Sequence, residues 1–147
     1  MPKNIRESWN ANADAWTELS REGYDIYRDR LNTPAFLDIL PEINGLSGLD
    51  IGCGDGYNTR ILSEKGALMT GIDISEKMIG HADNHPTQSQ ANIKYKTGNA
   101  ESLPFEDEIF DFAVSFMAMM DMEKPEKAII EIERILKPGG FFQFSIL

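Results

Sequence analysis

Three glycines at alternate positions, Gly52, Gly54 and Gly56, follow the apolar run Leu49-Asp-Ile51 and precede a helical pattern. Glycine tolerates positive φ and leaves bare backbone against which a ligand can press. A loop of this kind, at the carboxyl end of a strand and opening a helix, is where open α/β sheets bind nucleotide-like ligands. The dinucleotide fingerprint G-x-G-x-x-G is not met, because its third glycine position is Tyr57. No Gly-Lys-Ser/Thr ending marks a phosphate loop either. The loop's free N–H groups and positive helix end suit a carboxylate as well as a phosphate. Asp73 ends the next apolar strand about 20 residues downstream, where an acid accepts from both hydroxyls of a ribose.

Other residues invite chemistry and have plainer readings. Cys53 lies inside the glycine loop, where a small residue explains it better than a nucleophile does. His81 and His85 stand at i, i+4, as metal ligands can, but no third ligand is evident and Pro86 ends their helix, so no metal is expected. Met117, Met119, Met120 and Met122 form a candidate apolar substrate wall, and core packing explains some of them equally well.

The elements that must position these residues alternate between strand and helix patterns. Ile5, Trp9, Ala13, Trp16 and Leu19 recur at helical spacing and predict an amphipathic N-terminal helix ended by Gly23. Thr33-Pro34 reads as an N-cap followed by proline at the first helical position, opening a short helix that Pro41 stops. A first strand ends near Ile51. Helix Asn58–Lys65, strand Ala67–Ile72 and a helix capped by Ser75 follow. Asn92–Thr97 reads as a third strand whose Lys-Tyr-Lys centre suits a sheet edge, and Phe110–Ser115 as a buried fourth. Pro125 opens a helix with an apolar stripe of Ala128, Ile129, Ile132, Ile135 and Leu136; Lys137-Pro-Gly-Gly140 breaks it before a fifth strand, Phe141–Ile146. This alternation predicts an α/β fold, a doubly wound and mostly parallel sheet with helices on both faces.

Composition narrows the partners. A chain of 147 residues suits one domain with a real core. Net charge is −10 and the acids are dispersed, so phosphate backbones and anionic membranes are repelled; the most basic stretch, Arg21 to Arg30, also holds Glu22, Asp25 and Asp29. No apolar run approaches the roughly 20 residues of a membrane span. The single cysteine fits a reducing compartment, and with no apolar core of a signal peptide at the N-terminus the expected location is cytoplasmic. No nucleic acid and no membrane are expected; a small-molecule partner is.

Five segments in order sharpen this. Leu49-Asp-Ile-Gly-Cys-Gly-Asp-Gly56, Gly71-Ile-Asp-Ile-Ser75, Asn99-Ala-Glu-Ser-Leu-Pro-Phe105, Phe110-Asp-Phe112 and Leu136-Lys-Pro-Gly-Gly140 together resemble the class I S-adenosylmethionine-dependent methyltransferases, in particular the small-molecule type 11 group. The resemblance runs from about Gly45 to Leu147. It implies a Rossmann-like sheet with about five of the family's seven strands, residues 1–44 as a helical lid segment, and residues 45–147 as the cofactor-binding core. It implies that Gly52, Cys53, Gly54 and Gly56 wrap the methionine portion of S-adenosylmethionine while Asp50 positions its amino group. Asp73 would hold the ribose hydroxyls and Ile74 pack on the adenine face. Asn99 and Ala100, in one segment with Glu101, would read the adenine edge; the family usually has Asp at position 99, and Asn keeps an acceptor oxygen. Ser115 and Phe116 would border the transferred methyl. Trp9 and Trp16 would either pack their helix or form part of that lid, with Tyr24 and Tyr27 facing the ligand.

The implied activity is methyl transfer to a small-molecule acceptor. An activated methyl needs mainly proximity and alignment, and a base only where the nucleophile must lose a proton. Asp121 is the candidate base, with a solvated residue or a helix cap as its plain alternative. A non-catalytic protein that binds S-adenosylmethionine or S-adenosylhomocysteine is the first rival. A nicotinamide-dependent oxidoreductase is the second, disfavoured by Tyr57 and the 99–105 segment. Because the sequence stops as its fifth strand ends, the expectation is a piece of a longer methyltransferase. The alternative is that another chain supplies the missing edge, giving a dimer through the apolar strand Phe141–Ile146.

Overall fold

The protein is described by a computed structural model over residues 4–86 and 92–146. Five strands, β1 (Ser47–Ile51), β2 (Leu68–Asp73), β3 (Ile93–Thr97), β4 (Phe110–Phe116) and β5 (Leu136–Ser145), form one all-parallel sheet in the order β3-β2-β1-β4-β5. The order turns back between β1 and β4, and beyond the carboxyl ends of strands at such a switch point an open sheet leaves a crevice. Central β1 is buried over Gly48–Ile51, whereas Lys94 and Lys96 face solvent from β3 and discourage pairing at that edge.

Helices α1 (Ile5–Arg21), α2 (Thr33–Asp38), α3 (Tyr57–Glu64), α4 (Glu76–Asp83) and α5 (Pro125–Ile135) connect and cover the strands. Helix α5 buries Ala128, Ile132 and Ile135 with Leu49 and Ile51 on one face of the sheet. Phe36 of α2 and Leu62 of α3 pack with Met69, Phe112 and Val114 on the other. Ser75 caps α4 as expected, its hydroxyl accepting from Met78 N at 3.1 Å.

Four local readings are corrected. Thr33 does not cap α2: residues Arg28–Asn32 already form a π-helical segment, so no extended residue precedes the helix, and the Thr33 hydroxyl instead donates to Asn58 Oδ1 at 3.0 Å. The fifth strand begins at Leu136, not Phe141. Leu136 pairs with Phe110 and Phe141 with Phe112, so Lys137-Pro-Gly-Gly140 is a bulge inside the strand, turned by Gly139 at φ +83°. Ile129 of the expected α5 stripe is exposed. Helix α1 buries Ala13, Thr17 and Ser20 rather than its tryptophans; Trp16 and Leu19 remain over 40% exposed. It docks on α4 through polar contacts: Ser75 Oγ donates to Asn10 Oδ1 (2.6 Å), His81 Nε2 meets Asp14 Oδ1 (2.8 Å), and Arg21 Nη2 donates to the His81 carbonyl (3.0 Å). His81 is thus a hydrogen-bond partner of Asp14 on this seam. No described helix is long and apolar enough to cross a membrane.

Candidate functional site

A cleft of about 920 Å³ opens beyond the carboxyl ends of β1, β2 and β4, walled by α1 and by the segment after β4. That volume is at the upper end of the range for small-molecule sites. The glycine loop forms its floor. Gly52 has φ +72°, and a Cβ there would come within 2.4 Å of Ala118 Cβ, so only glycine lets the loop after β4 close against the loop after β1. Met117, one residue earlier, carries φ +53°, a strained conformation for a side-chain-bearing residue, and its N–H donates to Ser145 O at 3.0 Å.

Asp50 ends up on this floor, 1% exposed. Thr59 of α3 donates to its Oδ2 at 2.7 Å, while its Oδ1 is buried without a partner. Burial, with Asp73 adding repulsion, pushes the carboxyl up to about 7. Asp73 accepts from Gly54 N through Oδ2 and from Ser75 N through Oδ1, each at 2.9 Å. Those bonds favour its charged form, yet burial outweighs them and raises its pKa. The acid therefore ties β2 to the glycine loop, a role that spacing did not reveal. Burial and the carboxylates Asp73, Asp50 and Asp55 hold the Cys53 thiol protonated, which removes it as a nucleophile.

Asn99 opens a 3₁₀ turn, Ala100–Ser102, and its Oδ1 accepts from Glu101 N at 2.9 Å, so the oxygen expected to read a base is already engaged in a cap. Glu101 in turn accepts from Lys124 N at 2.9 Å, fastening this turn to the start of α5. Asn99, Ala100, Glu101, Ile74, Phe116 and Asp121 all line the cleft, and Asp121 is an exposed residue of the turn Met119–Asp121.

Two expected site residues do not reach it. Ser115 is fully buried and donates to Ile51 O at 2.9 Å, because its place in β4 points the hydroxyl at the neighbouring strand. Gly56, at φ +82°, is the left-handed residue that opens α3; a Cβ there would meet Tyr95 Oη at 2.3 Å, so it faces β3 and not the cleft. Of the four methionines after β4, Met117, Met120 and Met122 line the cleft and Met119 is core. Trp9, Trp16 and Tyr27 line it, and Tyr24 does not.

Residues 49–144 match the family described as "Methyltransferase domain". The chain belongs to that family. This methyltransferase domain is 34% identical over 105 residues to the ubiquinone biosynthesis O-methyltransferase of Coxiella burnetii, covering 71% of the chain and 45% of that protein. The methyltransferase in complex with the Haloferax volcanii Trm112 methyltransferase activator superposes with a TM-score of 0.81 at 29% identity, over 97% of this chain and 60% of that one. An S-adenosylmethionine-dependent methyltransferase from Mesorhizobium loti superposes with a TM-score of 0.71 at 34% identity, over 77% of this chain and 52% of that one. The chain spans about half the length of the curated relatives it matches.

Two residues that support the cleft carried no sequence signal. Thr59 holds Asp50 from nine residues away, a separation on which no motif depends. Arg134 of α5 donates to Leu103 O, Phe105 O, Asp107 and Glu131, pinning the stretch that follows the Asn99–Glu101 turn.

Proposed function

We propose that the cleft binds S-adenosylmethionine and that the chain serves methyl transfer to a small-molecule acceptor. The observation that carries this reading is Asp50, a buried carboxylate whose Oδ1 has no partner. An unpaired buried carboxylate oxygen is costly, and a ligand ammonium supplies the missing donor while drawing the group back to its charged form. The wider lining agrees, since seven carboxylates against two guanidinium groups favour a cation such as a sulfonium and oppose a pyrophosphate. Each oxygen of Asp73 has a second lone pair for a ribose hydroxyl. Ile74 and the Asn99–Ala100 turn then bracket the base.

Bound S-adenosylmethionine supplies an already activated methyl, so the chain's own residues have mainly to orient it and exclude water. Gly52 and Gly54 give the methionine portion backbone to lie against. Residues 1–44 act as the lid, with Trp9 and Trp16 over the opening. Asp121 takes the proton where the acceptor's nucleophile carries one. The lone buried Cys53 suits a reducing, cytoplasmic setting.

Calorimetry with S-adenosylmethionine, S-adenosylhomocysteine and NAD tests the reading. Both sulfur compounds should bind and NAD should not. Tight NAD binding with no response to either sulfur compound overturns it. A methyl-release screen on small phenols, amines and thiols then separates transfer from binding alone.

A further inference from the structure

Helix α1 carries its large apolar side chains on the side that does not dock. Its buried residues are the small Ala13, Thr17 and Ser20, and its seam with α4 is polar. Trp9 and Trp16, edge to face with ring centroids 5.7 Å apart, line the cleft instead, as does Ile5. Phe116, Met120 and Met122 line the same cleft from the segment that ends β4, and Met120 is 42% exposed. Apolar groups that could have entered the core are held at the water interface of a cavity, an arrangement that favours an apolar occupant.

The charges around that wall exclude one class of occupant. Arg28 is already paired: Nε donates to Asp29 Oδ1 at 2.7 Å, Nη2 to Ser20 O at 3.1 Å and Nη1 to Ser20 Oγ, with the guanidinium 3.7 Å above the Tyr57 ring centroid. The other lining cation, Arg6, is an exposed residue and is felt by Glu76 outside the cleft. Carboxylates make up the remainder of the charged lining. An anionic acceptor meets no uncommitted buried cation and several acids.

We propose that Trp9, Trp16, Phe116, Met120 and Met122 form the acceptor site, and that it takes an uncharged, ring-sized apolar acceptor and rejects the anionic equivalent. This rests on the reading of the glycine loop and Asp50 as the cofactor end of the same cleft. Aromatic edges and polarisable methionines adapt to flat rings without fixing one substituent pattern.

The test is calorimetric, on the 147-residue chain saturated with S-adenosylhomocysteine at pH 7.5, using 2-naphthol and 2-naphthoate as a neutral and an anionic probe of one ring size. Naphthol should bind about tenfold or more tighter than naphthoate. Trp16→Ala should lose about tenfold in naphthol affinity, and Trp16→Phe, which keeps an aromatic ring, should restore most of it. Met120→Lys, at an exposed position, should narrow the preference for the neutral probe by roughly tenfold. Equal or tighter binding of naphthoate overturns the proposal, as does naphthol affinity indifferent to both Trp16 variants. A chain that binds no S-adenosylhomocysteine fails the cofactor reading and this one with it. A chain that binds it and ignores naphthol fails this one alone.

Discussion

Asp50→Asn separates what the buried carboxylate does for a ligand from what it does to the fold. In the ligand-free protein its carboxyl is pushed up to about 7 by burial, against about 3.9 in an unfolded chain. Between those values the folded state keeps a proton that the unfolded state has lost, so stability falls as pH rises through the interval. The usual carboxylate, with a depressed folded-state pKa, behaves in the opposite sense. At 1.36 kcal/mol per pH unit, the loss is about 4 kcal/mol over the whole interval and about 2.7 kcal/mol between pH 5 and pH 7. Asparagine is uncharged throughout and keeps an oxygen for Thr59, while its amide N–H groups lack an acceptor at a fixed cost of about 1–3 kcal/mol. That fixed cost cancels when variant and wild type are compared at two pH values. Relative to wild type, Asp50→Asn should therefore gain about 2–3 kcal/mol from pH 5 to pH 8, read by urea unfolding. At pH 7.5 it should also lose S-adenosylhomocysteine affinity by roughly tenfold or more, the worth of one charge-assisted hydrogen bond. A stability difference that stays flat between pH 5 and pH 8 would refute the burial argument, and undiminished ligand affinity would refute the role given to the free oxygen.

Gly52→Ala puts a methyl 2.4 Å from Ala118 Cβ at a φ of +72°, and should cost about 1–3 kcal/mol in unfolding free energy while weakening the cofactor more than fold stability alone explains; calorimetry on the folded fraction reads the second effect. Asn10→Ala cuts the link from α1 to Ser75, whose N–H holds Asp73, so S-adenosylhomocysteine affinity should fall about threefold to tenfold; Asn10→Asp, still an acceptor for the Ser75 hydroxyl, should restore it, and equal affinities for both variants would deny the link. Arg134→Lys replaces a fork that reaches two carboxylates and two carbonyls with a point charge, and should cost about 1–2 kcal/mol and raise hydrogen exchange over residues 103–107. The side chain is 30% exposed, so only the part of that network shielded from solvent contributes to the loss.

The parts of this fold that could be read from the sequence are those whose physics is local. Alternation of apolar runs with helical periods gave β2, β3 and β4 to within a residue, because burying both faces of a parallel sheet requires such runs, while the bulge in β5 hid its first five residues. The glycine spacing gave the loop, because positive φ is a property of single residues. Position within a strand misled for Ser115: chain order put it beside the site, but the pleat turned its hydroxyl to Ile51. Gly56 and Thr33 failed for a related reason. A left-handed glycine can open a helix as readily as cradle a ligand, and a cap needs an extended residue that the preceding π-helical segment removed.

What stayed hidden was which side of a correctly predicted helix faces the core. A period of 3.6 identifies an apolar stripe on α1 and says nothing about what it meets. The usual assumption, that the whole stripe packs inward, holds for Ala13 and fails for Trp16 and Leu19, because α4 offers α1 a polar ridge, Ser75, Lys77 and His81, about 65 residues away in the chain. Asn10 and Asp14 satisfy that ridge, and once they do, the geometry of one helix carries Trp9 and Trp16 round to the cleft. The lid reading and the acceptor reading are therefore one statement. A polar seam that holds α1 down is what leaves its aromatic side free to meet a ligand, so severing the seam at Asn10 should disturb both ends of the cleft at once, the cofactor end through Ser75 and Asp73 and the acceptor end through the two tryptophans.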